Sequence, residues 1–330
     1  MKTISMFGML AKRGLAAIAV LAASACSSLP GSSVPERAYV ANEKTGTVSV
    51  LDVATGNVLT SIPAGKKPRG MAADKSGKYL FVSDQPGNDL LILDLDKGSI
   101  VGRIALGKSP EAIYASADGS MLAVAVEEDN AVILIDTVSR KILAQIKVKG
   151  ENPEHAIFSP DGRWIYVSAE NAEQVDVIDV AKREMLVSIN VGKRPRGIGF
   201  LPNGKKAYVA SELADEVHVI DVASHKPIKV IKAGQRVNGV AMTSDGKLAI
   251  VSNGGDNNVL FIDTATDAVV ANVPVGKRPW NMAIDSKNEK LYVANGRSNS
   301  VTIVDIAQRK AIQEVPVGEL PWGVYIPPRR

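Results

Sequence analysis

Seven residues whose side chains are suited to binding recur at one position of the sequence, 42 or 43 residues apart. They are Arg69, Glu111, Glu154, Arg196, Asn238, Trp280 and Trp322, and we call them the axial residues. Proline precedes six of the seven, and a small residue follows five, so the backbone is constant while the side chain varies. A purely structural position should be monotonous around a set of repeats, which makes this one a candidate binding position.

The axial residues combine charges with two tryptophans in consecutive repeats. Such a set suits a planar or partly apolar ligand that carries an anionic group. Its rings would stack on Trp280 and Trp322, and the Arg69 guanidinium would bind the anion as a fork. The remaining members of the predicted ligand-binding site are Glu111, Glu154, His155, Arg196 and Asn238.

A structural interpretation of the same residues competes with this one. Arg69 would then pair with Glu111, Arg196 would pair with Glu154, and the tryptophans would only plug a channel. The loops before the axial residues are basic, with Lys66, Lys67, Lys108, Lys193, Arg194, Arg236, Lys277 and Arg278. Other loops predicted on the same face are acidic, so we also expect a solvated surface with weak ion pairs.

Several chemistries lack the residues that they require. His155, His218 and His225 lie in different repeats at non-equivalent positions, without metal-ligand spacing. The sequence has no Cys-x-x-Cys-His, no Gly-x-Ser-x-Gly and no phosphate-cradling glycine loop. It also lacks the adjacent cysteine pair of a quinoprotein dehydrogenase, because Cys26 is its one cysteine. We therefore expect no cofactor and no metal.

The axial position belongs to a repeat that runs through most of the chain. A second motif, an aspartate preceded by Ile, Leu or Val and followed by Val, Thr, Leu or Ile, keeps the same period at Asp52, Asp94, Asp136, Asp179, Asp221, Asp263 and Asp305. Each unit contains four short strands, A to D, and no helical period is sustained beyond residues 1–25. Four strands every 40 to 45 residues or so are typical of propellers. We predict an all-β, seven-bladed β-propeller over residues 36–330.

The phase of the repeat predicts how the ring closes. The first repeat begins at strand B, over residues 37–41, and the last strand A spans residues 322–326. The C-terminal strand should therefore complete the first blade and leave no open edge there. Strand direction alternates, so the D-to-A and B-to-C loops share one face, where strand A begins at the axis. Each repeated aspartate should accept backbone amides of the following turn.

The N-terminus predicts export. Residues 1–25 have the basic start, short apolar run and Ala-Ser-Ala end of a secretory signal. Cys26 follows directly, and we expect it to be acylated, with residues 26–35 as a polar tether and the protein anchored to the outer membrane from the periplasm. Plain signal cleavage is the alternative. The remaining chain has 36 basic and 35 acidic residues, which argues against binding to nucleic acid or anionic lipid.

Residues 275–282, 290–295 and 300–305 resemble the repeat of the YVTN-type bacterial β-propellers, and the resemblance covers residues 36–326. The C-terminal segment 318–323 resembles a periplasmic propeller subfamily associated with PQQ-dependent alcohol catabolism. The resemblance implies the fold and an exported location. It implies no single chemistry, because propellers host unrelated functions.

These observations favour a binding or accessory protein that holds a small molecule or a periplasmic protein partner at its axial mouth. A propeller-type hydrolase or lactonase is the first alternative, with Glu111, Glu154 and His155 as acid–base groups. The second alternative is binding of single-stranded nucleic acid through arginine contacts and stacking on Trp280 and Trp322. Membrane contact is expected only through a lipid on Cys26.

Overall fold

The computed structural model describes residues 35–327, as seven four-stranded antiparallel sheets with one short 3₁₀ helix, Gln85–Gly87. The predicted signal segment, Cys26 and most of the predicted tether lie outside these residues. Within residues 35–327, no helix combines the length and the apolar character that crossing a bilayer requires. The prediction of an all-β, seven-bladed propeller is confirmed.

The strands follow one another blade by blade. Blade 1 has β1 (Arg37–Asn42), β2 (Thr47–Asp52) and β3 (Val58–Pro63), and blade 2 has β4 (Pro68–Ala73), β5 (Tyr79–Asp84), β6 (Asp89–Asp94) and β7 (Ser99–Ala105). Blade 3 has β8 (Pro110–Ala115), β9 (Met121–Val126), β10 (Ala131–Asp136) and β11 (Ile142–Lys147), and blade 4 has β12 (Pro153–Phe158), β13 (Trp164–Ala169), β14 (Gln174–Asp179) and β15 (Glu184–Asn190). Blade 5 has β16 (Pro195–Phe200), β17 (Lys206–Ser211), β18 (Glu216–Asp221) and β19 (Lys226–Lys232), and blade 6 has β20 (Val237–Met242), β21 (Leu248–Asn253), β22 (Asn258–Asp263) and β23 (Ala268–Pro274). Blade 7 has β24 (Pro279–Ile284), β25 (Lys290–Asn295), β26 (Ser300–Asp305) and β27 (Lys310–Pro316), and β28 (Pro321–Tyr325) returns to blade 1.

The C-terminal strand closes the ring as predicted. The first sheet has the strand order β28-β1-β2-β3, so β28 serves as its strand A. It pairs antiparallel with β1, and Tyr39 lies opposite Tyr325. This pairing satisfies the β1 edge, which would otherwise be exposed between the first and last blades.

The repeated aspartate stabilises the turn between strands C and D in every blade, as the sequence predicted. In blade 1, the Asp52 carboxylate accepts the Thr55 backbone amide at 2.9 Å. The same bond recurs at Asp94, Asp136, Asp179, Asp221, Asp263 and Asp305. These carboxylates satisfy turn amides on the face opposite the candidate site, so they carry structure rather than catalysis.

The hydrophobic core consists of layers between neighbouring blades. Strands B and C supply most of it, as with Val82 and Leu91 at the interface of blades 1 and 2. Buried tyrosines add polar ties across these layers. The Tyr292 hydroxyl of blade 7 donates to the Val53 carbonyl of blade 1 at 2.6 Å. Aliphatic packing plus such ties holds each blade against the next.

The A strands of neighbouring blades contact one another around the axis. Their approach is closest just after the axial residues. A Cβ atom at Gly70 would lie 2.5 Å from the Ile113 backbone nitrogen, and one at Gly197 would lie 2.7 Å from the Asn238 carbonyl oxygen. This crowding explains why a small residue follows most axial residues.

Candidate ligand-binding site

Each axial residue is the second residue of its A strand, directly after the proline, or after Val237 in blade 6. Because the A strands surround the axis, all seven side chains start at one end of the channel. We call this end the mouth, and the surface around it, formed by the D-to-A and B-to-C loops, the D–A face. The predicted convergence of the axial residues thus follows from strand position alone.

Arg69 is held at the mouth by two carboxylates from neighbouring blades. Its Nε donates to Glu43 Oε1 at 2.5 Å, and its Nη1 pairs with Glu111. The Gln85 side chain donates to the other Glu111 oxygen at 2.5 Å. Glu111 is buried, and burial raises the pKa of its carboxyl to about 7 although the Arg69 guanidinium acts in the opposite direction. Arg69 keeps Glu43 as a partner if Glu111 takes up a proton.

A larger cluster surrounds the fully buried carboxylate of Glu212. Arg278 and Arg196 donate to it at 2.7 and 2.8 Å, and Arg194 and Arg236 each lie 3.3 Å away. Burial acts to raise the pKa of Glu212, but the neighbouring arginines, Arg196 foremost, outweigh it and hold the pKa below its usual range. The mouth therefore contains a dense buried charge network.

Arg196 connects the Glu212 cluster to carboxylates of blade 4. It pairs with Glu154 and lies 3.1 Å from Glu170 while donating to Glu212. Both ion pairs of the structural interpretation, Arg69 with Glu111 and Arg196 with Glu154, are thus present. They are also largely buried, whereas the sequence led us to expect weak pairs on a solvated face.

The two tryptophans lie in different surroundings. The Trp280 ring is half-buried over Gly296 of its own blade, where a Cβ atom would collide with it. Trp322 is buried, and its ring stacks on His155 of blade 4, with centroids 6.0 Å apart and an interplanar angle of 17°. Among residues 35–327 no ring contact joins the two tryptophans, so they do not form one continuous stacking surface.

His155, like Glu212, is a titratable group that is shielded from solvent near the mouth. It is fully buried, and its Nδ1 lies 2.7 Å from the Tyr114 hydroxyl. Burial lowers the pKa of His155 to about 3, so the ring is neutral at pH 7. Its Nε2 has no hydrogen-bond partner among the described residues. Asn238, the remaining predicted site residue, is buried on the blade 6 side.

Below the mouth lies a cavity of about 440 Å³ along the axis. Arg69, Asn281 and Trp322 line its upper part, and its walls come from the A strands of blades 1, 2, 3, 6 and 7. Most wall residues are apolar, and they include Met71, Met242 and Met282. His155 contacts two lining residues, Trp322 and Tyr114. We call this space the axial cavity.

Beyond the predicted Glu111 and Glu154, the axial arginines have further partners in the B-to-C loops, which the sequence predicted only to be acidic. Glu43, Glu170 and Glu212 stand first in their B-to-C loops, and the same position holds Gln85, Glu127, Gly254 and Gly296 in the other blades. Glycine replaces the acid or amide in blades 6 and 7, where Arg278 lies against Gly254 and Trp280 against Gly296. Comparing the residue type at this loop position with the type at the axial position, blade by blade, would have shown where glycine replaces the acid or amide.

The described residues contain no group of three or more histidine, cysteine, aspartate or glutamate side chains arranged to hold a metal ion. Mouth carboxylates are instead directed at arginines, as for Glu212 and Glu111. Their geometry provides charge neutralisation and a polar rim above an apolar cavity.

Fold and site define the chain as a seven-bladed β-propeller with a charged mouth and an apolar axial cavity. A sequence model of the family "Lactonase, 7-bladed beta-propeller" matches residues 184–314. The match begins with β15 of blade 4 and ends within β27 of blade 7. It indicates similarity to lactonase-type propellers over that part of the ring.

Solved propellers share the architecture over most of their length. Hydrazine synthase from Kuenenia stuttgartiensis is 25% identical, with a TM-score of 0.71 over 79% of this chain and 92% of that one. A functionally unknown protein from Desulfotomaculum acetoxidans DSM 771 is 14% identical, with a TM-score of 0.79 over 89% and 99%. The dihydro-heme d1 dehydrogenase NirN, in complex with DHE, is 15% identical, with a TM-score of 0.65 over 88% and 74%. The last two similarities show the fold alone.

No curated protein matches the sequence. The family match and the similar solved structures confirm the predicted resemblance for seven-bladed propellers as a class. The narrower resemblances, to YVTN-type repeats and to the propeller of PQQ-dependent catabolism, stay predictions.

Proposed function

We propose that the protein is an exported binding propeller that captures a small, partly apolar molecule with an anionic group in its axial cavity. The observation that carries the proposal is the axial cavity itself. Its volume of about 440 Å³ lies within the range of small-molecule sites, and apolar walls below a few polar groups are the usual lining of such sites. A periplasmic role beside PQQ-dependent alcohol catabolism is the setting that the sequence resemblance favours.

Arg69 can serve the ligand without giving up its structural partners. A guanidinium has five N–H donors. Nε and Nη1 of Arg69 are directed at Glu43 and Glu111, while Nη2 makes no hydrogen bond to a described residue. Since Arg69 also lines the axial cavity, Nη2 is the donor that we assign to the ligand's anionic group.

The test is an unbiased search for small molecules that co-purify with the full chain, by mass spectrometry after denaturation. Ala283→Phe would fill the cavity, because Ala283 lines it and is only half-buried. Ala223→Phe places the same side chain on an exposed turn of the opposite face and serves as the control.

We expect the wild type and Ala223→Phe to carry the same molecule and Ala283→Phe to lose it. Retention of that molecule by Ala283→Phe at the wild-type ratio would place binding elsewhere. A wild type that carries no molecule, when purified from its own periplasm, would remove the basis of the proposal.

Lactone hydrolysis is the second candidate, and the family match over residues 184–314 favours it. Glu111 is the group best suited to act as an acid, since burial raises its pKa to about 7. The test is lactone ring opening by the full chain, with and without added divalent metal, compared with Glu111→Gln. Turnover that survives in Glu111→Gln unchanged, or no turnover by the wild type, would reject this candidate.

A further inference from the structure

We propose a second binding site, for a compact oxyanion such as a phosphate, sulfate or carboxylate group, in a pocket between blades 6 and 7 on the D–A face. This blade 6–7 pocket has a volume of about 370 Å³ and is lined by Arg236, Gly254, Gly255, Asn257, Lys277, Arg278 and Arg297. It shares no lining residue with the axial cavity. The proposal therefore stands independently of the proposed function.

The lining carries four cationic side chains and no acidic one. Glu212 lies behind the pocket and neutralises part of this charge through Arg278 and Arg236. Lys277 and Arg297 are exposed, and neither side chain has a hydrogen bond or an ion pair within residues 35–327. Lys277 and Arg297 therefore lie beside Arg236 and Arg278, which share the Glu212 carboxylate. Together the four side chains leave a positive potential that an anion would neutralise.

The other acidic groups nearby do not enter the pocket. Asp215 accepts the Arg236 backbone amide at 2.7 Å and is absent from the lining. Asp256 belongs to the pocket's own B-to-C loop, but its carboxylate accepts the Gln235 backbone amide at 2.8 Å and is absent from the lining. The loops themselves are tied together, because the Arg297 amide donates to the Lys277 carbonyl at 3.0 Å. The side chains of Lys277 and Arg297 thus extend from two loops whose backbones are hydrogen-bonded to each other.

Glycine makes room for the cations. A Cβ atom at Gly254 would lie 2.9 Å from Arg278 Nη1, so the guanidinium occupies the space that a glutamate or glutamine fills in blades 1 to 5. The Arg278 backbone is left-handed, with φ of 55°, and its amide donates to Asn257 Oδ1 at 2.9 Å. The pocket is therefore preorganised around a fixed arginine rather than assembled from mobile surface chains alone.

A pocket at the equivalent place between blades 2 and 3 differs in charge from the blade 6–7 pocket, because its lining residues differ. It has a volume of about 500 Å³ and is lined by Gln85, Pro86, Asn88, Lys108, Ser109, Glu127 and Glu128. Lys108 corresponds to Lys277, while Ser109 and Glu128 stand where blade 7 has Arg278 and Arg297. The same backbone positions therefore form a mixed pocket there and a cationic one between blades 6 and 7.

The chemistry of the lining selects the ligand class. Arginine matches two oxygens of a phosphate, sulfate or carboxylate group as a fork, and lysine adds a point charge. The pocket is open to solvent, where Lys277 and Arg297 are exposed, so binding should weaken as salt screens the charges. A compact oxyanion, free or at the end of a small metabolite, satisfies these conditions.

The experiment titrates inorganic phosphate, sulfate and acetate separately into the full chain by isothermal calorimetry at constant ionic strength. The test variants are Lys277→Glu and Lys277→Glu combined with Arg297→Glu, and Lys108→Glu in the blade 2–3 pocket is the matched control for the single substitution. Thermal melting of each variant checks that the fold is intact. All three substituted residues lie at the surface, so melting should stay near that of the wild type.

We expect saturable binding of at least one of the three anions by the wild type and by Lys108→Glu. In the double variant, the affinity for that anion should fall at least tenfold. Absence of saturable binding for all three anions would overturn the proposal. A loss in Lys108→Glu equal to that in Lys277→Glu would also overturn it, because the effect would then be one of net surface charge. Loss of binding in Ala283→Phe as well would show that the anion occupies the axial cavity instead.

Discussion

Arg196 neutralises three carboxylates at the mouth, namely Glu154, Glu170 and Glu212. Removing one partner of a buried ion pair leaves an uncompensated charge and typically costs about 3–5 kcal/mol. We expect Arg196→Met to lower the free energy of unfolding by about that much, measured by urea denaturation. Arg103→Met breaks a pair in which the arginine is half-exposed, and it should cost less than about 1 kcal/mol. Equal losses in the two variants would contradict a buried network at the mouth.

His155 makes stability depend on pH. Its pKa in the folded protein is about 3, and an unfolded histidine titrates near 6.5, so the unfolded chain binds the extra proton between these values. His155 should therefore reduce stability as the pH falls from about 6.5 towards 3, by a few kcal/mol at most. Glu111 acts in the opposite sense, because its raised pKa lowers stability as the pH rises from about 4.5 to 7.

The His155 contribution is isolated by comparison with His155→Gln, which removes the titration and keeps hydrogen-bonding capacity. We expect lowering the pH from 6.5 to 4 to reduce the unfolding free energy of the wild type more than that of His155→Gln. Chemical denaturation at several pH values measures it. A difference between the two proteins that does not change with pH would mean that His155 is protonated in the folded protein or solvated there.

The blades, as elements, are held to one another by hydrogen bonds as well as by packing. Tyr292→Phe removes the bond from blade 7 to the Val53 carbonyl of blade 1 without changing the buried ring. It should lower the free energy of unfolding by about 1 kcal/mol. Tyr79→Phe is the control, because Tyr79 is only half-buried and its neighbouring contact is Arg140 over the ring. A Tyr292→Phe variant as stable as the control would assign the interface to packing alone.

Ring closure belongs to the whole molecule. Deleting residues 320–330 removes β28 and exposes the β1 edge together with apolar surface of blades 7 and 1. We expect insoluble protein or a melting temperature lowered by more than about 10 °C, because an unpaired edge invites aggregation and a whole strand of core is lost. Deleting residues 328–330, which follow β28, should leave melting unchanged. A β28 deletion that melts like the full chain would show that closure contributes nothing.

Localisation is the other prediction at this scale, and it concerns Cys26, which lies outside the described residues. If Cys26 is acylated, Cys26→Ser should move the protein from the membrane fraction to the soluble periplasmic fraction. Fractionation followed by immunoblotting measures the change, and mass spectrometry of the N-terminus identifies the modification. Wild-type protein that is soluble and begins with an unmodified Cys26 would establish plain signal cleavage instead.

The sequence alone determined the fold, the strand order around the ring, the closing strand and the role of the repeated aspartates. These features rest on recurring local signals: the aspartate of the C-to-D turn in all seven repeats, the proline of strand A in six of them, and the alternation of the strands. It also identified which residues face the mouth, because strand position decides that. The contacts of those residues with the first residues of the B-to-C loops could not be predicted, since that position varies in type from Glu212 to Gly254.

Only the tertiary structure decided which charges meet. Glu212 collects arginines from blades 5, 6 and 7, and His155 stacks on Trp322, which lies three blades away along the ring. Such contacts depend on side-chain length, on the left-handed backbone of residues such as Arg278 and on the space left by Gly254. Periodicity places residues on a face, but the curvature of the ring sets the distances between them. For that reason the blade 6–7 pocket and the pairing of Arg69 with Glu43 could be recognised only once all seven blades were in place.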